Sequence, residues 1–137
     1  MKENVLIVDD SFTVRMDLKE AMESAGFSTI LCSTLAEARK ALEKQECHLL
    51  VLDMLLPDGD GVELLKELRA RPSTARMPVI FLTSEAEAEQ RTRGVSTGAD
   101  DYVSKPYART YLVARVRELL SRQAAPGNKA STQPSAA

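Results

Sequence analysis

Short runs of consecutive apolar residues alternate along the chain with longer stretches in which apolar residues recur every three or four positions. Continuous apolar runs are typical of strands buried on both faces of a parallel sheet, and the longer spacing is typical of amphipathic helices that cover such a sheet. The pattern therefore predicts an α/β fold in which five parallel strands alternate with five helices. The predicted strands are residues 5–9, 28–32, 49–53, 79–83 and 102–104.

The first two predicted helices carry recognisable end signals. The first covers residues 12–25 and is followed by Gly26, a residue suited to ending a helix. The second covers residues 34–44 and opens with a capping box, in which the Thr34 hydroxyl and the Glu37 carboxylate satisfy free backbone groups. The remaining helices are predicted at residues 61–71, 85–97 and 108–121.

The last two predicted helices differ sharply in apolar character. Residues 85–97 have almost no apolar face, so we expect this helix to be the least firmly packed. The helix at residues 108–121 carries a full stripe predicted to face the sheet, formed by Tyr111, Leu112, Val116, Leu119 and Leu120.

The carboxyl-terminal stretch has a different composition from the rest of the chain. From residue 123 onward there is no Val, Leu, Ile or aromatic residue, so this stretch cannot bury enough surface to offset its ordering entropy. We therefore expect one domain over residues 1–122 and a disordered linker or tail over residues 123–137.

Composition narrows the class of protein. The 137 residues include 18 Lys and Arg against 20 Asp and Glu, a formal net charge of −2, which argues against a nucleic-acid module held by positive charge. No apolar run approaches the ~18 residues of a membrane helix, and the amino terminus lacks a secretory apolar segment. The two cysteines lack C-x-x-C spacing and are expected to be reduced. We expect a cytoplasmic protein without a membrane or direct nucleic-acid partner.

Chemically active side chains stand at the ends of four predicted strands. Because the carboxyl ends of parallel strands share one edge of the sheet, we expect these side chains to converge there. Each one alone could be a helix cap or a surface residue, but that interpretation does not explain three carboxylates, a hydroxyl and an ammonium at one edge. The residues are Asp9 and Asp10 after the first strand, Asp53 at the end of the third, Thr83 and Ser84 after the fourth, and Lys105 and Pro106 after the fifth.

Three carboxylates at one edge indicate a metal site. Each close pair repels by on the order of 1 to 4 kcal/mol at ~4 Å, and a hard divalent cation removes that cost. We therefore expect Mg²⁺, with Mn²⁺ as the alternative, held by Asp10 and Asp53 directly and by Asp9 directly or through water. Asp53 ends the most apolar strand and is the best candidate to accept a phosphoryl group, whose oxygens Lys105 and Thr83 would contact.

Taken together, these residues resemble the receiver domain of bacterial two-component response regulators, the CheY-like family. The resemblance covers residues 4–122 and implies a flavodoxin-like sheet with strand order 2-1-3-4-5. It further implies that a sensor histidine kinase or a phosphotransfer protein donates the phosphoryl group to Asp53, that Leu55 offers a backbone carbonyl to Mg²⁺, and that the peptide before Pro106 is cis. It rests on Asp9-Asp10, Asp53, Pro57-Asp58-Gly59-Asp60-Gly61, Thr83-Ser84 and Lys105-Pro106.

The resemblance also implies a switch. In the family, the hydroxyl residue, here Thr83, moves toward the phosphoryl group and an aromatic residue, here Tyr102, turns inward. The altered output face would then meet a downstream protein target or effector domain, or form a phosphorylation-dependent dimer. The chain is not expected to be an enzyme beyond phosphotransfer to itself and slow dephosphorylation of itself. It is expected to be part of a multidomain regulator or a hybrid histidine kinase.

Three positions depart from the common family pattern. Leu55 stands two residues after Asp53 and Glu85 two residues after Thr83. In receiver domains these positions tune the access of water to the acyl phosphate, and an apolar and a charged residue there would act in opposite directions, so the lifetime is left open. Tyr107 stands where phenylalanine is commoner, a change expected to keep the packing.

Two alternative functions share part of this pattern. A phosphatase of the haloacid dehalogenase type also phosphorylates an aspartate at a strand end, but it needs a second carboxylate at the position of Leu55. A pseudo-receiver, which keeps the fold as an interaction module without phosphorylation, is the more serious alternative. The presence of all five polar groups argues against it.

Overall fold

A computed structural model describes residues 2–84 and 98–124. Five parallel strands form one sheet in the order β2-β1-β3-β6-β7, and β4 and β5 form a separate two-stranded ladder. Counted along the chain within the large sheet, this is the predicted flavodoxin-like order 2-1-3-4-5, which is confirmed. The strands are β1 (Asn4–Val8), β2 (Ser28–Cys32), β3 (Leu49–Asp53), β4 (Leu55–Leu56), β5 (Gly59–Asp60), β6 (Val79–Thr83) and β7 (Asp101–Ser104).

Four of the five predicted helices fall within the described residues, and each begins within one residue of its predicted start. They are α1 (Phe12–Ser24), α2 (Leu35–Lys44), α3 (Gly61–Ala70) and α4 (Arg109–Ala124). The last helix runs three residues beyond its predicted end, supported by a 2.9 Å ion pair between Glu118 and Arg122 one turn apart. Helix α4 therefore passes the predicted domain end at residue 122. The helix predicted at residues 85–97 and the remaining tail at residues 125–137 lie outside the described residues.

Polar side chains define the helix starts. The Thr34 hydroxyl accepts the backbone N–H of Glu37 at 3.1 Å, as the capping pattern predicts. The Glu37 carboxylate accepts the N–H of Ser33, one residue before the expected partner, at 2.7 Å. Ser11 and Asp60 cap α1 and α3 in the same way. These caps satisfy backbone donors that the helices leave free.

Both faces of the sheet are buried, which explains why the central strands are continuous apolar runs. Every residue of β3 and β6 is buried. Helices α2 and α3 pack on one face, and α1 and α4 pack on the other. None of the helices in the described ranges combines the length and apolar character that crossing a bilayer requires.

The prediction that Tyr111 belongs to the buried apolar stripe of α4 is wrong. Tyr111 is 51% exposed, whereas Leu112 and Val116 are fully buried. These two are four residues apart and lie on the face toward the sheet, and Tyr111 lies next to that face on the solvent side.

A short hairpin that the sequence did not predict connects β3 to α3. Strands β4 and β5 pair antiparallel over two residues each. At its tip, Asp58 accepts the backbone N–H groups of Leu35 at 2.9 Å and Ala36 at 3.0 Å. The bond from Leu35, followed by that from Ala36, lowers the pKa of Asp58 although partial desolvation opposes them. The hairpin thus ties the segment after Asp53 to the start of α2.

The first residue of α3 passes too close to β3 to carry a side chain. A Cβ at Gly61 would lie 2.7 Å from the carbonyl oxygen of Asp53 and 3.2 Å from Leu52 Cγ. We expect Gly61→Ala to lower the free energy of unfolding by about 1 to 3 kcal/mol, the usual cost of overpacking. Urea denaturation would measure it, with the exposed Lys66→Ala in the same helix as the control. Equal denaturation midpoints for the two variants would contradict the close approach.

Candidate functional site

Three carboxylates meet at the carboxyl end of the sheet. Asp9 follows β1 and is fully buried, Asp53 ends β3 and is 5% exposed, and Asp10 lies at the surface beside Asp9. One oxygen of each carboxylate lies within 4.8 Å of the other two. The structure therefore brings together the three acids that the sequence placed at separate strand ends.

Lys105 reaches this cluster from the segment after β7. Its Nζ lies 2.8 Å from Asp9 Oδ2 and 3.4 Å from Asp53 Oδ2. Burial acts to lower the pKa of Lys105, but the hydrogen bond to Asp9 and the charges of Asp53 and Asp9 outweigh it and raise that pKa. The ammonium therefore stays protonated at neutral pH. Counting each carboxylate as −1 and the ammonium as +1, the cluster has a formal charge of −2.

The loop between β1 and α1 is held by short polar contacts. Asp9 Oδ1 accepts the backbone N–H of Ser11 at 2.8 Å, while Oδ2 receives Lys105. The Arg15 guanidinium donates to the backbone carbonyl of Asp9 at 2.7 Å. Both oxygens of Asp9 are thus engaged, and its orientation is fixed.

Thr83 ends β6 in a fully buried position. Its hydroxyl has no hydrogen-bond partner among residues 2–84 and 98–124. Its carbonyl accepts the backbone N–H of Lys105 at 2.6 Å, which links β6 to the segment that carries the ammonium. Ser84 follows at the strand end and is half-buried. A buried hydroxyl without a partner has a free-energy cost, so Thr83 is well placed to bind an incoming acceptor.

Tyr102 lies within β7 and packs against Phe81 of β6. The ring centroids are 5.7 Å apart and the ring planes differ by 22°. The tyrosine hydroxyl is buried and has no partner in the described part of the chain, and burial raises its pKa to about 12. The end of the ring that carries the hydroxyl is therefore enclosed by the protein, although the residue as a whole is half-buried.

The other predicted site residues lie close by in the chain. Leu55 stands in β4, two residues after Asp53, and its side chain is 45% exposed. The peptide bond between Lys105 and Pro106 is cis. Apart from Tyr102, all predicted site residues thus lie at or just beyond the carboxyl ends of the strands.

One contact beside the site was not predictable from the sequence. The Tyr107 hydroxyl donates to Asp17 Oδ2 at 2.6 Å, although 90 residues separate the two positions. Arg109 Nε lies 3.4 Å from the other oxygen of Asp17. Tyr107 stands out in the sequence because phenylalanine is commoner there, but only the three-dimensional arrangement identifies Asp17 as its partner.

Comparison with known proteins places these features in a family context. Residues 5–117 match the family model described as the response regulator receiver domain. The phosphate regulon transcriptional regulatory protein PhoB of Rhizobium meliloti is 42% identical over 124 residues, which cover 89% of this chain and 54% of that protein. The chain spans about half the length of the curated relatives it matches.

Solved structures agree over most of the chain. A putative response regulator from Chloroflexus aurantiacus has a TM-score of 0.83 and 33% identity, covering 88% of this chain and 99% of its own. The signal receiver domain of a signal transduction histidine kinase from Syntrophus aciditrophicus has a TM-score of 0.82 and 32% identity, and the match covers 98% of both chains.

Proposed function

Because the chain belongs to the response regulator receiver domain family, we propose that it accepts a phosphoryl group on Asp53 from a sensor histidine kinase or a phosphotransfer protein. The observation that carries the proposal is the cluster of Asp9, Asp10 and Asp53 with the Lys105 ammonium 2.8 Å from Asp9 and 3.4 Å from Asp53. Such a cluster suits phosphoryl transfer, which needs alignment and charge neutralisation more than covalent work by the protein.

The transfer step uses the carboxylate of Asp53 as nucleophile. One oxygen of Asp53 forms a bond to phosphorus while the bond from phosphorus to the donor's imidazole nitrogen breaks, and the nitrogen keeps the electron pair. The product is an acyl phosphate on Asp53. Lys105 is positioned to offset the negative charge of the phosphoryl oxygens, and the fixed orientation of Asp9 holds the ammonium in place.

We propose Mg²⁺ as the cofactor, with Mn²⁺ as the alternative. Its ligands would be Asp10, Asp53, Asp9 directly or through water, and the backbone carbonyl of Leu55. The close spacing of three hard oxygen donors and the formal charge of −2 of the cluster suit a divalent ion. When bound, the ion would supply further charge neutralisation for the phosphoryl oxygens.

The same site would drive a conformational switch. The Thr83 hydroxyl, buried without a partner among the described residues, would gain a hydrogen bond from its O–H to a phosphoryl oxygen. Ser84 would add contacts at the strand end. Tyr102 stacks on Phe81, which lies two residues before Thr83. A shift of Thr83 would therefore change the packing around the tyrosine ring. The output face would respond through a two-state change, by binding an effector or forming a dimer.

We propose a larger parent protein in the cytoplasm, and the names of the relatives support the larger parent. The PhoB proteins are named as transcriptional regulators, and the Syntrophus match is a receiver domain of a histidine kinase. We therefore propose that the domain works as the receiver of a multidomain regulator or of a hybrid histidine kinase, with an effector domain or target protein downstream.

Phosphate incorporation with and without Mg²⁺ tests the proposal. With a small phosphodonor and Mg²⁺ in excess, we expect incorporation to approach one phosphoryl group per chain, and to fall to background when a chelator is added. Absence of labelling under both conditions would favour the pseudo-receiver. Equal labelling with and without the chelator would exclude the metal-assisted mechanism.

A further inference from the structure

The hydrogen bond between Tyr107 and Asp17 joins two chain segments that meet at the site. Helix α1 begins three residues after Asp9, and Tyr107 lies two residues after Lys105. The 2.6 Å bond therefore links the helix that follows the acids to the segment that carries the ammonium.

We propose that Tyr107, anchored by Asp17, is a positioning residue that holds the Lys105 ammonium between Asp9 and Asp53. This inference rests on the proposed function, because Lys105 acts there on the phosphoryl group.

The segment between β7 and α4 has further contacts at both ends, including those of Arg109 with Asp17 and Glu20 of α1 at 3.4 Å. At its start, the backbone N–H of Lys105 donates to the Thr83 carbonyl at 2.6 Å, and α4 begins at Arg109. The Tyr107 ring packs against the core on the side of α1 and α4. A phenylalanine would keep this packing but would leave the segment without its side-chain hydrogen bond to α1.

The chemistry of the pair suits a permanent anchor. Burial, the hydrogen bond to Asp17 and the nearby charges of Asp17 and Asp9 raise the pKa of Tyr107, so its hydroxyl remains a donor at neutral pH. A bond from a neutral hydroxyl to a carboxylate is stronger than one between neutral groups. Arg109 Nε, 3.4 Å from Asp17 Oδ1, helps to orient the acceptor.

The placement of Lys105 is sensitive to such an anchor. A lysine side chain is long and has many rotamers, so its position depends on the backbone that carries it. Its Nζ contacts Asp9 at 2.8 Å and Asp53 at 3.4 Å, so a small backbone shift would change both distances. Losses in transfer rate from such misplacement are expected even though Tyr107 touches none of the reacting atoms.

Tyr107→Phe tests the proposal against a matched control. We expect the phosphorylation rate at saturating Mg²⁺ to fall by about three- to tenfold, because the Lys105 ammonium is then held less firmly in the position that the transition state requires. Mg²⁺ affinity measured by isothermal titration calorimetry should stay unchanged. The control Thr29→Val removes another bond from a hydroxyl to a carboxylate of α1, at Glu23, 2.7 Å long and remote from the site, and should keep the wild-type rate.

Variants of Asp17, which accepts the hydrogen bond from Tyr107, separate a positioning role from an effect on general stability. Asp17→Ala should slow the reaction as Tyr107→Phe does, and the double variant should be no slower than either single variant, because both remove the same bond. Asp17→Asn keeps an acceptor oxygen and should recover part of the rate. Arg109→Gln removes the ion pair to Asp17 but keeps the bond from Tyr107, so its loss of rate should be smaller than that of Tyr107→Phe. Additive losses, or a rate in Tyr107→Phe equal to wild type, would overturn the proposal.

A measurement on the unphosphorylated protein distinguishes this proposal from the proposed function. The NMR resonances of the Lys105 Cε group, assigned by their loss in Lys105→Met, should move toward those of exposed lysines in Tyr107→Phe and not in Thr29→Val. If they move but the wild-type protein takes up no phosphate, the proposed function fails and the positioning role stands. If wild type is labelled while resonances and rate in Tyr107→Phe match it, only the positioning role fails.

Discussion

Asp53→Asn is expected to abolish phosphate incorporation from a small phosphodonor in the presence of Mg²⁺, with a loss of more than about a thousandfold in rate. The amide has almost the same shape as the carboxylate but lacks the charged oxygen that attacks phosphorus. The substitution also removes one of three clustered negative charges, so the fold should be retained. The measurement is labelling followed by mass spectrometry of the modified peptide.

Asp60→Asn is the matched control for this experiment. Asp60 caps α3 by accepting the N–H of Val62 at 2.9 Å, and asparagine is an equally good cap. The control therefore removes a carboxylate from the same part of the chain without removing the proposed acceptor, and its labelling should match wild type. Equal labelling of wild type and Asp53→Asn would move the acceptor to another residue, with Asp10 as the next candidate because its carboxylate lies at the surface.

The sheet and the acidic site were predictable from sequence because both depend on strong local signals. The runs that end at Asp53 and Thr83 consist of consecutive apolar residues. Such runs are typical of strands that are buried on both faces. Once the strands are assigned as parallel, their carboxyl ends meet at one edge, and the convergence of Asp9 with Asp53 follows from topology.

Features that depend on contacts between distant segments were not predictable. The β4–β5 hairpin has only two residues in each strand, too few to show a period. The exposure of Tyr111 depends on the exact rotation of α4 against the sheet, which an apolar stripe of five residues leaves uncertain by one position. The bond from Tyr107 to Asp17 spans 90 residues and has no motif.

Lys105→Ala is expected to separate metal binding from the response to phosphorylation. Without the ammonium, the three carboxylates have a formal charge of −3 when ionised, so Mg²⁺ affinity should be kept or increased. The contact proposed to align the phosphoryl group is lost, so the Tyr102 ring resonances should no longer change on phosphorylation. Isothermal titration calorimetry and NMR measure the two effects. A normal Tyr102 response would contradict the role assigned to Lys105.

The melting temperature of Lys105→Ala should also depend on Mg²⁺ more strongly than that of wild type. Asp9 is fully buried, and loss of the ammonium leaves it with the N–H of Ser11 but without its cation while it faces Asp53, at a cost of about 1 to 3 kcal/mol. Added Mg²⁺ should recover this loss, so the rise in melting temperature with Mg²⁺ should be larger in Lys105→Ala than in wild type. Lys19→Ala, which removes an exposed pair with Glu23, should respond to Mg²⁺ like wild type.

The pH dependence of this contribution follows from the raised pKa of Lys105. A cation whose pKa is higher in the folded state stabilises fully below its unfolded value, and the stabilisation is lost as pH rises through the folded value. The ordinary value is 10.5 and the folded one lies above it, so the contribution should be constant from pH 7 to about pH 9. The difference in melting temperature between wild type and Lys105→Ala, measured without metal, should therefore be flat over that range. A marked fall in the difference below pH 9 would mean that the ammonium loses its proton earlier, and that Asp9 and Asp53 do not hold it as the geometry indicates.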